Sequence, residues 1–411
     1  MTNPKGTTLS IILFGEEWTD MWRRRQQLAA KLAEFDVVDK VVYVEQPLTL
    51  YSLVKYLLGK GKHSARVSWR RVFRHRSLVH QINDKLYVIT PLTLLPWLNS
   101  RLLIALDHPF RFHIQARLIK RSIANLGIDN IVLWIGMPTI PIELVHLFNQ
   151  KLTWYDYTDD YRAEPSLPPF FRRLIAQAED YLLSHADVVS IVSRRSYQQK
   201  MGVNKNSYWL PNAVDTELFI SPSSPECPED MKTINPPRLG YIGEINAKFD
   251  LELLEYLAQS RPAWSVVLIG NVDLPGKSVS RLKAYPSIHF QGRKPYHSLP
   301  AYLQNIDLGI HLYKQEEIGN NKSIESDQKI FLYLAAGKPV VVFFPAGMEG
   351  VHQGLVQYFT TREEFVAGIE DALATDSVEL KRRRIEYAQV NSWRARAEQI
   401  VTIIAQNPGG L

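Results

Sequence analysis

Short apolar runs alternate along the chain with stretches that have the periodicity of amphipathic helices. In the first half, the runs LSIILFG, KVVYVEQP, NIVLWIG and DVVSIVS are apolar almost throughout instead of alternating with polar residues. Continuous apolar strands are typical of parallel sheets, which helices cover on both faces. Helical patterns such as MWRRRQQLAAKLAEF separate these runs. The alternation predicts an α/β protein made of repeated βα units and doubly wound parallel sheets.

The same pattern starts again after residues 220–238, a segment rich in proline and serine that we interpret as a linker. A chain of 411 residues is long enough for two domains. The strands expected in the second domain are RLGYIG, WSVVLIG, SIHFQG, DLGIHLY and PVVVFF. We predict a first α/β domain over residues 1–210, a second over 211–385, and a C-terminal helical segment, 386–411, that packs back across both.

Residues 326–341, SDQKIFLYLAAGKPVV, predict one helix followed by one strand. Ser326 or Asp327 suits the N-cap, and Gly337 suits the left-handed position after the last turn. Lys329 lies in the first turn, where free backbone N–H groups already form a positive pole. Two positive features at one point indicate a binding site for an anion, and a diphosphate fits it. The alternative is a surface lysine on a capped helix.

Two further stretches place candidate side chains at predicted strand ends. In YIGEINAKFD, Gly243 ends a strand where a side chain would block the close approach of a ligand. In WYDYTDDY, Asp156, Asp159 and Asp160 come at the end of another strand. We expect one of these aspartates, Asp159 before the others, to take the proton from an acceptor hydroxyl. The alternative is that they are turn and cap residues.

Together these stretches resemble the GT-B glycosyltransferases of the GT4-like group, and in particular bacterial enzymes of teichuronic-acid and exopolysaccharide assembly. The most specific parts are KIFLYLAAGKPVVV and PNAVDTELF, and the resemblance covers most of the chain. It implies two Rossmann-like doubly wound domains that face each other across a cleft. It also implies that the second domain binds a nucleotide-sugar donor, that the first binds the acceptor, and that the enzyme, of the hexosyltransferase type, needs no metal ion.

The resemblance also implies a set of donor-binding residues. They are Gly243, Lys248, Glu325, Ser326, Asp327, Gln328, Lys329 and Leu332. Most of the family has a glutamate at the position of Leu332, where its carboxylate binds ribose, and we expect Leu332 to lie toward the ribose with Glu325 as the substitute acid. If the helix is rotated, Leu332 is a core residue instead. Glu244 is a second departure, because an arginine often stands there.

Residues 51–80 carry eight lysines and arginines and no aspartate or glutamate, although the net charge of the chain is only +6. The basic character is therefore local. No motif for DNA or RNA accompanies it, so we expect no nucleic-acid partner. An anionic membrane surface is favoured, because each basic residue near such a surface contributes about 1 kcal/mol. A solvated loop is the alternative. The residues expected on the membrane or acceptor side are Arg66, Arg70, Arg71 and Arg74.

The location and the substrates follow from these patterns. The single cysteine, Cys227, allows no internal disulfide, which fits a reducing cytoplasm. No apolar run approaches the roughly 18 residues of a spanning helix. We therefore expect a cytoplasmic enzyme at the inner face of the plasma membrane. It would have no cofactor, would use a UDP-, GDP- or TDP-sugar, and would extend a lipid-linked or growing saccharide of a bacterial surface polysaccharide.

Two other functions fit the same sequence. One is a nucleotide-sugar epimerase on the same fold, although such an enzyme usually has more acids and histidines in its cleft. The other is a catalytically inactive partner that only binds the sugar nucleotide, which the departures at Glu244 and Leu332 keep open. The sequence gives neither the sugar, nor the acceptor, nor the choice between retention and inversion.

Overall fold

The computed structural model describes most of the chain as two compact units. The described residues are 8–20, 22–60, 63–93, 116–139, 142–163, 167–220, 226–314, 326–344 and 351–407. Unit 1 consists of Met1–Pro211 together with Arg396–Leu411, and unit 2 consists of Asn212–Ala395. Glu325, one of the expected donor-binding residues, lies outside the described residues.

Unit 1 is built on an eight-stranded sheet in the order β10-β9-β8-β7-β1-β2-β5-β4. All neighbouring strands are parallel except β4, which pairs antiparallel with β5 at one edge. The strands of unit 1 are β1 (Leu9–Phe14), β2 (Val38–Val44), β3 (Leu48–Thr49), β4 (Val79–Gln81), β5 (Leu86–Ile89), β6 (Leu92–Thr93), β7 (Ile131–Ile135), β8 (Leu152–Tyr157), β9 (Val188–Ile191) and β10 (Ser207–Trp209). The short strands β3 and β6 form a separate parallel pair.

The helices of unit 1 follow its strands, as repeated βα units require. Within the described residues they include α1 (Arg24–Leu32), α2 (Leu50–Leu57), α3 (His63–His75), α4 (Ile142–Val145), α5 (Pro169–His185) and α6 (Arg194–Lys200). Residues 116–124 are helical as well. Buried β-branched, leucine and aromatic side chains fill the space between sheet and helices, and the indole rings of Trp134 and Trp154 stack at 4.6 Å on neighbouring strands.

Unit 2 has a six-stranded parallel sheet in the order β13-β12-β11-β14-β15-β16. Numbered within the unit, this is the order 3-2-1-4-5-6 of the Rossmann fold, which changes direction between β11 and β14. The strands are β11 (Arg238–Ile242), β12 (Ser265–Ile269), β13 (Ile288–Gly292), β14 (Leu308–Leu312), β15 (Val340–Phe343) and β16 (Gln357–Phe359). The doubly wound parallel sheets that the apolar runs predict are confirmed.

The helices of unit 2 flank this sheet, and the last one ends in unit 1. They are α7 (Thr216–Phe219), α8 (Leu251–Ser260), α9 (Gly276–Lys283), α10 (Leu299–Gln304), α11 (Gln328–Ala335), α12 (Arg362–Thr375), α13 (Val378–Val390) and α14 (Trp393–Gln406). The tail that the sequence predicts as a helical segment is therefore two helices. None of the helices in the described part of the chain has the length and apolarity that crossing a bilayer requires.

Candidate functional site

Helix α11 begins beside the point where the sheet of unit 2 changes direction. Asp327 is its N-cap, and the Oδ1 atom of Asp327 accepts a hydrogen bond from the backbone N–H of Lys329 at 3.0 Å. After the last turn, Gly337 has a φ of +72°, the left-handed conformation expected there. The preceding residue, Ser326, is buried, and its carbonyl accepts a hydrogen bond from the side chain of Asn212 at 2.7 Å. The helix start is therefore fixed on both sides of the cap.

The side chain of Lys329 lies across the carboxyl ends of strands β11 and β14. Its Nζ donates to the hydroxyl of Tyr313 at 2.9 Å and lies 3.2 Å from Oδ2 of Asp327. Gly243, directly after β11, has a φ of +152°, and a Cβ there would overlap the Cε of Lys329. The positive φ and the overlap with Lys329 each exclude a side chain at this position, so only glycine leaves room for the methylene chain of the lysine. Ligands of doubly wound sheets bind at such a point.

The charges around Lys329 keep it protonated. Burial acts to lower the pKa of Lys329, but the carboxylate of Asp327 and the hydroxyl groups of Tyr313 and Tyr241 together outweigh burial and hold the pKa well above its ordinary value. The same pair acts on Asp327. Burial acts to raise the pKa of this carboxyl, whereas Lys329 and a hydrogen bond with Nε2 of His311, at 2.9 Å, hold it well below its usual range. Lys329 and Asp327 are thus a fixed ion pair at the ligand-binding edge.

Helix α11 is also tied to the sheet by an aromatic side chain on its inner face. The hydroxyl of Tyr333 accepts a hydrogen bond from the backbone N–H of Ile242 at 2.9 Å. Its ring lies directly over Gly309 of β14, where a Cβ would overlap the ring. Tyr333 is completely buried, so the distance between helix and sheet is set by this contact.

The other expected donor-binding residues lie in less defined positions. Lys248 is half-buried in the loop after β11, and its carbonyl accepts a hydrogen bond from the N–H of Lys314, after β14, at 3.0 Å. Gln328 is half-buried at the first position of α11. Leu332 is 5 % exposed, which corresponds to the buried alternative for this residue. The structure brings together Gly243, Asp327 and Lys329.

Three residues at this edge are absent from the sequence-based set. They are His311, Tyr313 and Lys314, and all belong to or directly follow β14. The run DLGIHLYK places them at a predicted strand end, which is the signal used above for Gly243 and for the aspartates. Applying it to this strand would have found Tyr313 and Lys314. The contact between His311 and Asp327 has no such signal, because the two residues are 16 positions apart.

In unit 1, the expectation that Asp156 is a candidate base is wrong. Its carboxylate has no exposed surface, and Arg24 binds both oxygens at 2.9 and 3.0 Å. The hydroxyl of Ser190 donates a third hydrogen bond at 2.7 Å. Burial acts to raise the pKa of Asp156, but Arg24 outweighs it and the pKa is lowered. Because the carboxylate of Asp156 is ionised, has hydrogen-bond donors on both oxygens and is closed to solvent, we assign it a structural role.

The two neighbouring aspartates are accessible. Asp159 is exposed in the segment after β8, and its backbone carbonyl accepts a hydrogen bond from the N–H of Tyr161 at 3.1 Å. Asp160 is half-buried, and its Oδ1 accepts from the N–H of Arg162 at 3.2 Å, at the start of a short 3-10 turn. The described contacts of Asp160 are those of a turn residue.

The basic stretch of unit 1 forms two helices, α2 and α3, in the structure. Arg70 and Arg74 are exposed, and Arg66 is half-buried. The expectation that Arg71 faces a membrane is wrong, because its guanidinium pairs with the buried carboxylate of Glu45 and donates to the carbonyl of Trp18 at 2.9 Å. Arg71 therefore holds α3 against the sheet and is not available to a lipid surface.

Helix α2 has an apolar surface that its neighbours leave open. None of its residues is buried. Large apolar side chains on and directly after it are about half exposed or more: Leu50, Tyr51, Val54, Leu57 and Leu58. Phe73 of α3, which stacks on Tyr56 at 5.8 Å, adds to this surface. We name this surface, together with the exposed Arg70 and Arg74, the α2–α3 surface.

No group of three or more histidine, cysteine, aspartate or glutamate side chains that could hold a metal ion occurs within the described ranges. No family model matches the sequence. A curated relative, the "Putative teichuronic acid biosynthesis glycosyltransferase TuaH" of Bacillus subtilis (strain 168), is 25% identical over 309 residues, which span 71% of this chain and 76% of the relative.

Solved structures match over almost the whole chain. Sucrose-phosphate synthase from Thermosynechococcus elongatus has a TM-score of 0.68 at 14% identity and covers 97% of this chain and 98% of its own. WaaG, described as a glycosyltransferase involved in lipopolysaccharide biosynthesis, has a TM-score of 0.58 at 13% identity, with 97% and 100% covered. TarM of S. aureus, in a complex that contains UDP, has a TM-score of 0.57 at 9% identity, with 96% and 99% covered. The resemblance inferred from the sequence is thereby confirmed, and the chain has the two Rossmann-like domains of the GT-B glycosyltransferase fold.

Proposed function

We propose that the protein is a glycosyltransferase that binds the diphosphate of a nucleotide sugar at the start of α11. The observation that carries the proposal is the position of Lys329, whose ammonium lies at the helix N-terminus and across the ends of β11 and β14. A diphosphate there would accept a hydrogen bond from Lys329 and would be favoured by the partial positive charge of the helix N-terminus. Both would stabilise the charge that develops on the leaving nucleoside diphosphate.

The ion pair within the site decides which groups supply the attraction. Lys329 already has a carboxylate partner in Asp327, so the pair contributes little net charge. The net attraction for a diphosphate must then come from the helix terminus and from further basic residues at the same edge. Lys248 and Lys314, whose backbones are hydrogen-bonded to each other, stand at this edge and are the candidates. Lys329 would act mainly by orienting one phosphate oxygen.

Names of related proteins support the reaction class and the biological setting. The relative in Bacillus subtilis is assigned to teichuronic acid biosynthesis, and WaaG to lipopolysaccharide biosynthesis. We infer that this protein also builds a bacterial surface polysaccharide, and that its acceptor is a lipid-linked or growing saccharide. The donor would be a UDP-, GDP- or TDP-sugar, and no metal ion would be required.

The α2–α3 surface supports a location at a membrane. It combines exposed apolar side chains on α2 with exposed arginines on α3, and an anionic bilayer offers a partner for both. The apolar side chains would enter the boundary between headgroups and acyl chains, while Arg70 and Arg74 would meet lipid phosphates. We propose the inner face of the plasma membrane as the place where the protein meets its acceptor.

Turnover with a panel of nucleotide sugars tests the reaction. The protein is incubated with UDP-, GDP- and TDP-sugars and bacterial membrane lipids as acceptor, with and without EDTA, and nucleoside diphosphate release is measured. A transferase releases nucleoside diphosphate only when an acceptor is present, and EDTA leaves the rate of this release unchanged. An epimerase converts the sugar without release. An inactive partner binds nucleotide without turnover. Its binding is detected by thermal unfolding, because free nucleotide at about 100 times its Kd raises the free energy of unfolding by about 2.7 kcal/mol.

A further inference from the structure

The guanidinium of Arg25, on α1, joins the carboxyl ends of three strands in unit 1. Its Nη1 donates to Oε2 of Glu16 at 2.7 Å, and its Nη2 donates to Oγ1 of Thr158 at 2.8 Å. Nη2 also donates to the carbonyl of Gly136 and lies 3.4 Å from the hydroxyl of Tyr161. These partners follow β1, β7 and β8, which are neighbours in the sheet. We call this group the Arg25 cluster.

The backbone is shaped to admit the arginine. A Cβ at Gly136 would overlap both the Nε and the Cδ atoms of Arg25, so a side chain at the end of β7 would expel the guanidinium. Glu16 is held from a second direction, because the hydroxyl of Tyr43 donates to its backbone carbonyl at 2.9 Å. The carboxylate of Glu16 is therefore fixed before any ligand arrives.

Arg24, the residue before Arg25 on α1, forms an ion pair with Asp156 that shows what a purely structural arrangement looks like here. Asp156 receives three hydrogen bonds from Arg24 and Ser190 and has 0% side-chain exposure. Glu16, by contrast, receives one side-chain hydrogen bond, through Oε2, and its side chain is 13% exposed. Its Oε1 atom is free of side-chain donors within the described residues.

Arg25 is also incompletely satisfied. Its side chain is 7% exposed, and its Nε atom has no hydrogen-bond partner among the described residues. The Nε atom packs against Gly136, so the partly exposed carboxylate of Glu16, whose Oε1 has no side-chain donor in the described part of the chain, is the group that remains for a polar ligand. The position agrees, since ligands of doubly wound sheets bind outside the carboxyl ends of the strands.

The charges of the Arg25 cluster select the kind of ligand. Burial acts to raise the pKa of Glu16, but Arg25, together with the backbone N–H of Glu16 and the charge of Arg23, outweighs burial and the pKa is lowered, so the carboxylate is ionised and can only accept hydrogen bonds. One arginine and one glutamate cancel, which leaves no net charge to attract a phosphate or a uronate. Tyr161 adds a hydroxyl that can donate or accept. Neutral hydroxyl groups are the chemistry that matches this set.

We propose that Glu16 and Tyr161 bind hydroxyl groups of a neutral sugar of the acceptor, with Arg25 as the positioning residue that holds Glu16 in place. The proposal rests on the proposed glycosyltransferase function, because it assigns a role in acceptor binding. The proposed contacts use neither Lys329 nor the side chains of the three aspartates that end β8 or follow it. It assigns acceptor recognition to the strand end after β1, where the sequence reads FGEEW.

The test compares Glu16→Gln with Glu17→Gln, the same change at the next residue. Glu17 accepts from the hydroxyl of Ser64 at 3.2 Å, whereas the carboxylate that Arg25 binds is that of Glu16, so Glu17 is a matched control. Binding of p-nitrophenyl glycosides of neutral sugars, and of p-nitrophenyl glucuronide, is followed by ligand-detected NMR. We expect wild type and Glu17→Gln to bind a neutral glycoside in preference to the glucuronide, and Glu16→Gln to weaken binding at least tenfold.

A second variant tests the proposal independently in case Glu16→Gln loses binding because it misfolds. Tyr161→Phe removes only a hydroxyl, and we expect it to weaken binding of the neutral glycoside while the melting temperature stays near that of the wild type. Equal binding by wild type and Glu16→Gln, preferred binding of the glucuronide, or no glycoside binding to the wild type would each overturn the proposal.

Failure of the proposed function has a different signature. If glycosides bind as expected but no nucleotide sugar is turned over, the acceptor site stands and the transferase activity fails. If turnover is present, Glu16→Gln should raise the KM for the acceptor at least tenfold and leave the KM for the donor unchanged. Loss of affinity for the donor in Glu16→Gln would place Glu16 in the nucleotide-sugar site instead of the acceptor site.

Discussion

Asp327 holds both the backbone N–H and the side-chain ammonium of Lys329, the residue two positions after it. The backbone bond, to Oδ1, caps the helix, and the ammonium lies 3.2 Å from Oδ2. One carboxylate therefore fixes the start of α11 and the position of its lysine together. His311, which is completely buried, fixes the carboxylate in turn through a 2.9 Å contact with Oδ2. The lysine is oriented before a ligand binds, so little entropy is lost when it does.

Lys329→Ala should weaken the binding of a nucleoside diphosphate. A hydrogen bond to a charged group contributes about 1.5–3 kcal/mol, so calorimetry should show a loss of roughly tenfold or more in affinity. Lys283→Ala, which removes an exposed lysine at the end of α9, is the control and should bind normally. Unchanged affinity in Lys329→Ala would remove this residue from the site.

Asp327→Asn should change the acid stability of the protein in a defined direction. The pKa of Asp327 is lowered in the folded state, so its contribution to stability is present above the unfolded value of about 3.9 and is lost as the pH falls below it. Melting temperatures measured from pH 7 to pH 2 should fall less steeply below about pH 4 in Asp327→Asn than in the wild type. Identical slopes for the two proteins would contradict the ion pair with Lys329.

Asp156→Asn and Asp159→Asn should separate a structural carboxylate from an accessible one. Asp156→Asn leaves the buried Arg24 without its charge partner, which costs about 3–5 kcal/mol of unfolding free energy. Asp159→Asn changes an exposed residue, and its stability should stay within about 0.5 kcal/mol of the wild type. If Asp159 is the base, its variant loses at least tenfold in turnover but binds nucleotide normally. A normal rate would exclude it.

Leu332→Glu should destabilise unit 2. The side chain is 5 % exposed, so the change would bury an unpaired carboxylate and cost several kcal/mol of unfolding free energy. Leu332→Met, which conserves volume, should cost less than about 1.5 kcal/mol in denaturant unfolding. A folded Leu332→Glu protein with tighter UDP or GDP binding would instead place Leu332 beside the ribose.

Charge reversal on the α2–α3 surface should reduce membrane binding. Arg70→Glu with Arg74→Glu should lower co-sedimentation with phosphatidylglycerol vesicles, because each basic residue near such a surface contributes about 1 kcal/mol. Arg383→Glu, an exposed arginine of unit 2, is the control. Binding of the wild type should fall as salt is raised. Vesicle binding that ignores both the charge reversals and salt would rule out this surface as the electrostatic contact.

The parts that the sequence predicts correctly are those that depend on local patterns. Continuous apolar runs such as LSIILFG predicted parallel strands buried on both faces, and the cap, lysine and glycine of α11 predicted its limits. Both are short-range signals. The order of the strands in each sheet has no local signal, and the resemblance to a family implied only the doubly wound, Rossmann-like class.

The parts that the sequence predicts wrongly depend on partners far away along the chain. Arg71 belongs by composition to a basic stretch, but Glu45, 26 residues earlier, draws it into a buried pair. Asp156 and Asp159 are indistinguishable by residue type, yet one lies within β8 opposite Arg24, 132 residues away, and the other follows the strand. A single sequence holds no record of such pairs. The expectation that functional side chains lie at the ends of predicted strands would have identified Glu16, had it been applied to β1.

The contact between Tyr333 and Gly309 means that ligand affinity can be altered from inside the core. Because the ring rests on a residue without a Cβ, a single methyl group at Gly309 would lift α11 off the sheet and carry Lys329 away from the strand ends. Such a variant would change no atom that touches a ligand. Differences in donor preference among related enzymes should therefore be sought in the layer beneath the binding edge as well as at its surface.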